Sequence, residues 1–265
     1  MRILNDRFEV EGLLRAVRRA RNRVLFLDYD GTLAPFIVDR SEAAPYPGVL
    51  PLLSDLGALI RHRLVFVSGR PAKDLARLLP LSPRPTIWGS HGMEELDADG
   101  KLRTGTVPPE AQRVLDAEAL RLEAALGGGH VERKPVGLAV HVRGLATPQG
   151  AEILDAVRGP WKRLVERHPL TILEFDGGIE LCAGMRRKGD VVQRIVRELE
   201  PPYAAAFLGD DVTDEDAFRA MRGRGASILV RPELRPTVAD LWLTPPAELL
   251  AFLERWRDAA SGAPA

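Results

Sequence analysis

The stretch Val24-Leu25-Phe26-Leu27-Asp28-Tyr29-Asp30-Gly31-Thr32 decides the fold of this chain. Four consecutive apolar residues are typical of a parallel strand that is buried on both faces. The acids that follow lie where open α/β sheets bind their ligands, beyond the carboxyl end of the strand. Side chains at i and i+2 of an extended segment share a face, so we expect Asp28 and Asp30 to converge on one point. Because close carboxylates repel unless a cation lies with them, this segment predicts a cation site.

The segment Asp28–Thr32 is also compatible with two simpler structures. A strand-ending Asx turn could use the same acids, with Gly31 allowing the bend. A calcium-binding loop also carries acids at alternate positions, but here the third acidic position is missing and a strand precedes the segment.

Further apolar runs recur along the chain, and each ends in polar or glycine residues. They are Leu64–Val67 before Ser68-Gly69-Arg70, Thr86–Trp88 before Gly89-Ser90-His91, Ala204–Leu208 before Gly209-Asp210-Asp211, and Ser227–Val230 before Arg231. Amphipathic stretches of helix length separate several of these runs. Strands that alternate with helices predict an α/β fold, a doubly wound, Rossmann-like parallel-sheet core.

Two of these strand ends and the start of one predicted helix carry candidate functional residues. Ser68-Gly69-Arg70 offers a hydroxyl and a flexible backbone for a phosphate oxygen, although Ser-Gly is also a common turn. Lys188 precedes a helix, where a cation is unfavourable unless an anion is near, so it indicates either a phosphate or a solvated basic patch. Asp210, Asp211 and Asp214 suit magnesium, or cap the helix that follows.

Residues 105–183 follow a different pattern, which predicts an α+β module inserted into the sheet domain. The pattern is a helix, two strands, a helix and two strands joined by the hairpin signal Asp176-Gly177. Within it, Gly137–Arg143 alternates apolar and polar residues and predicts a half-buried strand with one polar face. We therefore expect a parallel-sheet core of residues 1–104 and 184–265 and an inserted α+β domain of residues 105–183.

Composition excludes several classes of protein. The chain has 265 residues, 45% of them hydrophobic, which fits a globular protein and not a disordered one. Its 37 basic and 37 acidic residues give no net charge, which argues against a nucleic-acid partner. A single cysteine excludes an internal disulfide. We find no apolar run of the roughly 18 residues that span a bilayer and no signal peptide, so we expect no membrane partner, a cytoplasmic location and a monomer.

The motifs at Asp28–Thr32, Ser68, Lys188 and Gly209–Asp214, in this order, resemble those of the haloacid dehalogenase-like phosphatase superfamily. The resemblance implies a nucleophile at Asp28, which forms an aspartyl-phosphate, and a general acid and base at Asp30. It implies phosphate-binding roles for Thr32, Ser68, Gly69, Arg70 and Lys188. It also implies Mg²⁺ as the cofactor, held by Asp28, Asp30 through its backbone carbonyl, and acids from the set Asp210, Asp211 and Asp214.

The inserted module resembles the cap of the trehalose-6-phosphate phosphatase family. The resemblance lies in Glu132-Arg133-Lys134, in His141-Val142-Arg143 and in Ile179-Glu180-Leu181. It implies that Glu132, Lys134, His141, Arg143 and Glu180 bind the sugar. The expected reaction is the Mg²⁺-dependent hydrolysis of trehalose 6-phosphate, a small-molecule sugar phosphate, to trehalose and phosphate.

The sequence is also compatible with three further functions. The same chemistry could act on sucrose phosphate, mannosylglycerate phosphate or a hexose phosphate. A phosphomutase would return the phosphate of Asp28 to another sugar oxygen. A non-catalytic regulatory subunit is a third class, which the complete set of motif acids and lysine in this chain argues against.

Overall fold

The computed structural model describes residues 1–37, 42–184 and 186–262. The chain forms two compact units. The core unit is Met1–Arg103 with Arg187–Ala265, and the insert unit is Thr104–Arg186. The sequence predicts that the first core segment ends at residue 104 and the second begins at residue 184. In the structure, the first ends at residue 103 and the second begins at residue 187. Among the described helices, none is both long and apolar enough to cross a membrane.

The core unit is built on a nine-stranded sheet. In chain order its strands are β1 (Arg2–Ile3), β2 (Asn22–Leu27), β3 (His62–Val67), β4 (Thr86–Gly89), β5 (Glu94–Leu96), β6 (Leu102–Thr104), β11 (Tyr203–Gly209), β12 (Ala226–Val230) and β13 (Leu241–Leu243). Their spatial order is β1-β13-β12-β11-β2-β3-β4-β5-β6. The six strands from β13 to β4 are parallel, and β1 and β5 pair antiparallel at the two sides.

Helices cover both faces of this sheet. They are α1 (Val10–Arg19), α2 (Val49–Ala58), α3 (Ala72–Leu78), α6 (Lys188–Arg197), α7 (Glu215–Met221) and α8 (Ala247–Ser261). Leu25 and Leu27 of β2 pack into the cluster that contains α1, α2 and α8. Val24 and Phe26 pack into the cluster on the other face with α6 and α7. The predicted doubly wound core is therefore confirmed, and burial on both faces explains why residues 24–27 of β2 are all apolar.

The insert unit is a four-stranded antiparallel sheet with two helices. Its elements are α4 (Pro109–Leu126), β7 (Val131–Lys134), β8 (Gly137–His141), α5 (Thr147–Val165), β9 (Leu170–Phe175) and β10 (Gly178–Ala183), with the strands in the order β7-β8-β10-β9. Leu138, Val140, Ile179 and Leu181 pack with the helices in one apolar cluster. The predicted α+β insert is confirmed, including the hairpin whose turn places Gly177 at φ 89°.

One strand differs from its sequence pattern. The prediction of a half-buried strand over Gly137–Arg143 is wrong, because β8 ends at His141 and Gly137–Val140 are all buried. The strand lies between β7 and β10, and ion-paired side chains of those neighbours cover the face that carries Ala139. The alternation of apolar and polar residues correctly predicts that β8 has two different faces, but it does not predict which neighbouring side chains cover each face.

Candidate active site

The candidate site lies at the carboxyl ends of β2, β3 and β11, three adjacent strands of the core sheet. Asp28 follows β2, Ser68 follows β3 and Asp210 follows β11. Asp28 is tied to the end of β11 through a 2.9 Å hydrogen bond from its backbone nitrogen to the Leu208 carbonyl oxygen. The first turn of α6 brings Lys188 to the same place, so four segments that are distant in sequence meet at one edge.

Three carboxylates form a buried cluster at this edge. Asp28, Asp210 and Asp214 each offer an oxygen, and these oxygens lie within 4.8 Å of one another. Burial, which outweighs the opposing charge of Lys188, raises the pKa of Asp28 to about 7. Burial and the neighbouring acid Asp28 also raise the pKa of Asp210 well above its usual value. The cluster therefore concentrates negative charge that needs a positive partner.

Lys188 supplies part of that positive charge. Its side chain is buried, with Nζ 2.7 Å from Asp214 Oδ1 and 3.1 Å from Asp28 Oδ1. Burial alone would lower the pKa of Lys188, but the carboxylates of Asp214 and Asp28 outweigh burial and raise it. Lys188 is thus a fixed cation beside Asp28, and the alternative of a solvated basic patch is wrong for this residue.

The three aspartates of the Gly209–Glu215 segment have different hydrogen-bond partners. Asp214 is occupied by protein groups, since Oδ1 accepts from Lys188 and Oδ2 accepts from the backbone nitrogens of Asp210 and Asp211, each at 3.0 Å. Asp211 caps the short 3₁₀ turn Val212–Asp214 by accepting from the Val212 nitrogen. Asp210 Oδ1 accepts from the Thr32 hydroxyl at 3.2 Å.

The second oxygen of Asp210 fits a bound cation. Asp210 Oδ2 is buried and, among the described residues, has no hydrogen-bond partner. A buried carboxylate oxygen without a partner is costly, and a divalent cation would remove that cost. Gly31 lies directly against this oxygen at φ 79°, and a Cβ there would collide with it and with Phe36. The glycine of the first motif therefore keeps the space beside Asp210 open.

The side chain of Asp30 does not join the cluster. The prediction that the Asp28 and Asp30 carboxylates converge is not met, because Asp30 accepts two hydrogen bonds from Arg70, at 2.7 Å from Nε and 2.6 Å from Nη2. The acids that lie with Asp28 are Asp210 and Asp214. The i, i+2 spacing places Asp28 and Asp30 on one face of the strand end. It does not predict that the Arg70 guanidinium, from the loop after β3, binds the Asp30 carboxylate.

The loop after β3 is shaped by the residues after β4. Ser68 is buried, and its Oγ accepts from the Arg70 nitrogen at 3.2 Å. The His91 nitrogen donates to the Ser68 carbonyl oxygen at 2.9 Å, and the His91 ring lies where a Cβ on Gly69 would be. Ser90 and His91 both have positive φ, a strained backbone conformation that persists because surrounding contacts hold it.

Arg235 is a residue of this site that the sequence did not indicate. It donates to the carbonyl oxygens of Asp210 and Asp211 at 3.0 and 2.6 Å and pairs with Glu215. The guanidinium therefore fixes the backbone of the acidic loop. It lies 25 residues after Asp210 with no motif around it, so spacing offered no signal.

In the insert unit, four of the five predicted sugar-binding residues lie on the sheet face opposite the helices. Glu132 pairs with His141 Nε2 at 2.7 Å, and Lys134 pairs with Glu180 across β8. Glu180 is buried, and the Cys182 thiol donates to its other oxygen at 3.1 Å. Arg143 lies beyond the end of β8, where it donates to the Asp176 carbonyl oxygen of the hairpin turn.

Comparisons with known proteins agree on one family. Residues 26–239 match the family model described as trehalose-phosphatase. A trehalose-phosphate phosphatase of Mycobacterium tuberculosis strain H37Rv is 34% identical over 249 residues, which cover 89% of this chain and 61% of that protein. The chain thus spans about three fifths of the length of the curated relatives it matches.

Solved structures share the fold over nearly the whole chain. The C-terminal domain of the Candida albicans trehalose-6-phosphate phosphatase has a TM-score of 0.83 at 21% identity, covering 97% of this chain and 99% of that one. Aspergillus fumigatus trehalose-6-phosphate phosphatase, in crystal form 3, has a TM-score of 0.68 at 26% identity, covering 96% and 99%.

Proposed function

Because the chain belongs to the trehalose-phosphatase family, we propose that it is a phosphatase that hydrolyses trehalose 6-phosphate to trehalose and phosphate. The observation that carries this proposal is the buried contact of Lys188 with Asp28 and Asp214 beside Asp210. A carboxylate with a fixed cation next to it is equipped to attack an anionic phosphate ester.

The donor set of the site fits a divalent cation that prefers oxygen. Asp28 and Asp210, with the backbone carbonyl of Asp30, would hold Mg²⁺, because Asp214 and Asp211 are already engaged by protein groups. When bound, the cation would neutralise charge on the nucleophile and on the phosphoryl group. Thr32 and Gly31 would serve it indirectly, since the Thr32 hydroxyl orients Asp210 and Gly31 leaves room beside it.

The first chemical step transfers the phosphoryl group to Asp28. An Asp28 oxygen forms a bond to phosphorus while the bond from phosphorus to the sugar oxygen breaks. The sugar oxygen keeps the electron pair of that bond and takes a proton from the Asp30 carboxyl group, so a neutral alcohol leaves. Lys188 remains beside Asp28 and stabilises the negative charge spread over the phosphoryl oxygens.

The second step releases phosphate. The Asp30 carboxylate takes a proton from a water molecule, whose oxygen attacks phosphorus. The bond between phosphorus and Asp28 breaks, and the electron pair returns to the Asp28 carboxylate. Ser68 supports both steps, because its oxygen accepts from the Arg70 nitrogen and its hydroxyl proton is available to a phosphoryl oxygen. The Gly69 backbone would add a second donor.

We assign substrate choice to the insert unit. Glu132, Lys134, His141 and Glu180 place two carboxylates, an ammonium and an imidazole on one sheet face, and each can pair with sugar hydroxyls. A site built from such hydrogen bonds rejects analogues that lack the hydroxyls. Arg143 would bind at the edge of this face. The monomeric state and the cytoplasmic location stay predictions.

A substrate panel tests this function. Phosphate release would be measured from trehalose 6-phosphate, sucrose phosphate, mannosylglycerate phosphate and a hexose phosphate, with Mg²⁺ and with a chelator. We expect trehalose 6-phosphate to have the highest kcat/KM and the chelator to abolish turnover. Asp28→Asn should lose activity by at least about 10³-fold because it lacks the nucleophile. Asp74→Asn, on the exposed side of α3, is the matched control.

Three results would contradict the proposal. A different best substrate would refute the assignment of the sugar. Full turnover by Asp28→Asn would refute the covalent mechanism, and an isomeric sugar phosphate in place of free phosphate would indicate a phosphomutase.

A further inference from the structure

Among the described residues, Arg70 is held from three directions. Its Nε and Nη2 donate to the two carboxylate oxygens of Asp30 at 2.7 and 2.6 Å. Its guanidinium carbon lies 5.5 Å from the centre of the Tyr29 ring, a distance suited to a cation–π contact. Its backbone carbonyl accepts from the Ser90 nitrogen at 2.8 Å. The side chain is 5% exposed, so these contacts fix it firmly.

The side chains of Asp30 and Arg70 differ in their exposure to solvent. The Asp30 side chain is 20% exposed, against 5% for Arg70. Asp30 is therefore the more accessible of the two side chains. A carboxylate oxygen has two lone pairs, so each Asp30 oxygen can accept from Arg70 and still exchange a proton on its other side.

The Tyr29 ring is itself anchored. Tyr29 is fully buried, and its hydroxyl donates to the Ala43 carbonyl oxygen. The chain of contacts from Ala43 through Tyr29 and Arg70 to Asp30 leaves the Asp30 carboxylate plane little freedom. Two parallel N–H···O bonds fix an orientation that a single point charge would not.

From this geometry we propose that Arg70 is a positioning residue that aims the Asp30 carboxyl group at the leaving oxygen, and not a ligand of the phosphate. The proposal rests on the proposed function, in which Asp30 donates a proton to the sugar oxygen. It replaces the role expected for Arg70 from the resemblance.

The proposal predicts a dependence on the leaving group. A sugar alcohol is a poor leaving group and needs the proton from Asp30, whereas p-nitrophenolate leaves without one. The ratio kcat/KM covers the steps up to departure of the leaving group and does not include hydrolysis of the aspartyl-phosphate. A misaimed Asp30 should therefore lower kcat/KM for the sugar phosphate and spare kcat/KM for p-nitrophenyl phosphate.

The experiment compares Arg70→Gln and Arg70→Lys with the full-length wild type on both substrates. We expect Arg70→Gln to lose roughly 10²-fold in kcat/KM for trehalose 6-phosphate and less than about threefold for p-nitrophenyl phosphate. With the aryl substrate it should also release a burst of p-nitrophenolate, because Asp30 must still activate water in the second step. Arg77→Gln, an exposed arginine on α3, should match the wild type.

Arg70→Lys separates orientation from charge. Lysine keeps the positive charge next to Asp30 but cannot make the two-point contact, so we expect it to show the same substrate-dependent loss. It also serves as the second variant if Arg70→Gln fails to fold, which thermal unfolding would reveal. Wild-type kcat/KM in Arg70→Lys would overturn the role of the two-point contact.

A phosphate-binding role would give a different result. Equal losses on both substrates, together with weaker competitive inhibition by inorganic phosphate, would show that Arg70 binds the phosphoryl group and would overturn the proposal. Failure of the proposed function is recognised separately, because the wild type itself would then not hydrolyse trehalose 6-phosphate.

Discussion

At the scale of single residues, the site separates acids that look equivalent in sequence. Asp210, Asp211 and Asp214 all follow β11 within five positions, yet Asp214 holds Lys188, Asp211 caps a turn, and only Asp210 keeps a buried oxygen without a partner among the described residues. The difference comes from backbone direction after the strand. Charge alone does not decide which acid is available to a cation.

The different partners of Asp210 and Asp211 predict different effects of substituting each by asparagine. Asp210→Asn should lose at least about 10²-fold in kcat, because the carboxylate that faces the cation site is gone. Asp211→Asn should stay within about threefold of the wild type, because asparagine caps a helical turn as well as aspartate does. Phosphate release across a Mg²⁺ titration is the measurement. Equal losses in both variants would contradict the assignment of Asp210.

Binding of the cation can be followed without turnover in the same pair. Mg²⁺ should raise the thermal unfolding midpoint of the wild type and of Asp211→Asn, because a ligand of the folded state stabilises it by mass action. The midpoint of Asp210→Asn should not respond. A full response in Asp210→Asn would place the cation elsewhere.

The sequence was informative wherever a candidate site residue directly follows a buried strand. Asp28, Ser68 and Asp210 could be predicted because parallel strands end at one edge and their carboxyl ends carry the ligands. The pairing of Asp30 with Arg70 could not be predicted, since it depends on the course of a loop 40 residues later. Arg235 was missed because, apart from Glu215, it contacts backbone carbonyl groups, which leave no pattern in the sequence.

At the scale of elements, the insert sheet depends on two small residues in β8. Gly137 and Ala139 lie opposite Cys182 and Glu180 of β10 on one side, and opposite Lys134 and Glu132 of β7 on the other. Because these two β8 residues have little or no side chain, Lys134 can reach across the strand to Glu180. A Cβ on Gly137 would lie 3.1 Å from Glu180 Oε1. The sequence pattern predicted the strand but not the ion pair across it.

This ion pair predicts an asymmetry in stability. Lys134→Met should lower the free energy of unfolding by about 3–5 kcal/mol, because it leaves the buried Glu180 carboxylate without its cation. Lys134→Met with Glu180→Gln should recover most of that loss, since no buried charge remains. Urea unfolding is the measurement. A double variant that is less stable than Lys134→Met alone would contradict this reasoning.

The same double variant separates stability from function. It should remain at least about 10²-fold below the wild type in kcat/KM for trehalose 6-phosphate, in line with loss of hydrogen bonds to a polyol. Its activity towards p-nitrophenyl phosphate, which has no sugar, should stay close to that of the wild type.

At the scale of the whole molecule, the core unit contains a buried histidine whose protonation would destabilise the fold. His62, at the start of β3, is buried, and its Nε2 accepts a 2.8 Å hydrogen bond from the Trp256 indole of α8. Burial, with a smaller contribution from Arg23, lowers the pKa of His62 to about 4. Protonation would remove the acceptor that joins the strand to the terminal helix.

The sign of the resulting pH dependence follows from proton binding. Between about pH 6.5 and pH 4 the unfolded chain binds a proton at His62 that the folded chain does not, so the free energy of unfolding falls as the pH falls. The loss at pH 4 should be about 3 kcal/mol. His62→Gln should lack this component, which urea unfolding followed by tryptophan fluorescence would measure.

The comparison has an internal control. Above about pH 8 His62 is neutral in both states, so the wild type and His62→Gln should show the same pH slope there. Identical slopes between about pH 6.5 and pH 4 as well would contradict the assignment.

The interrupted order of the core unit has a consequence for how the chain is made. β2 lies between β3 and β11, but β11 follows the insert in the chain and leaves the ribosome after it. Until then one edge of β2 has no neighbour, and an open edge invites pairing with other chains. Asp28 likewise lacks its neighbours Lys188 and Asp210 until those later residues have left the ribosome. Synthesis of this protein therefore includes an interval in which the insert can fold while the candidate active site is still incomplete.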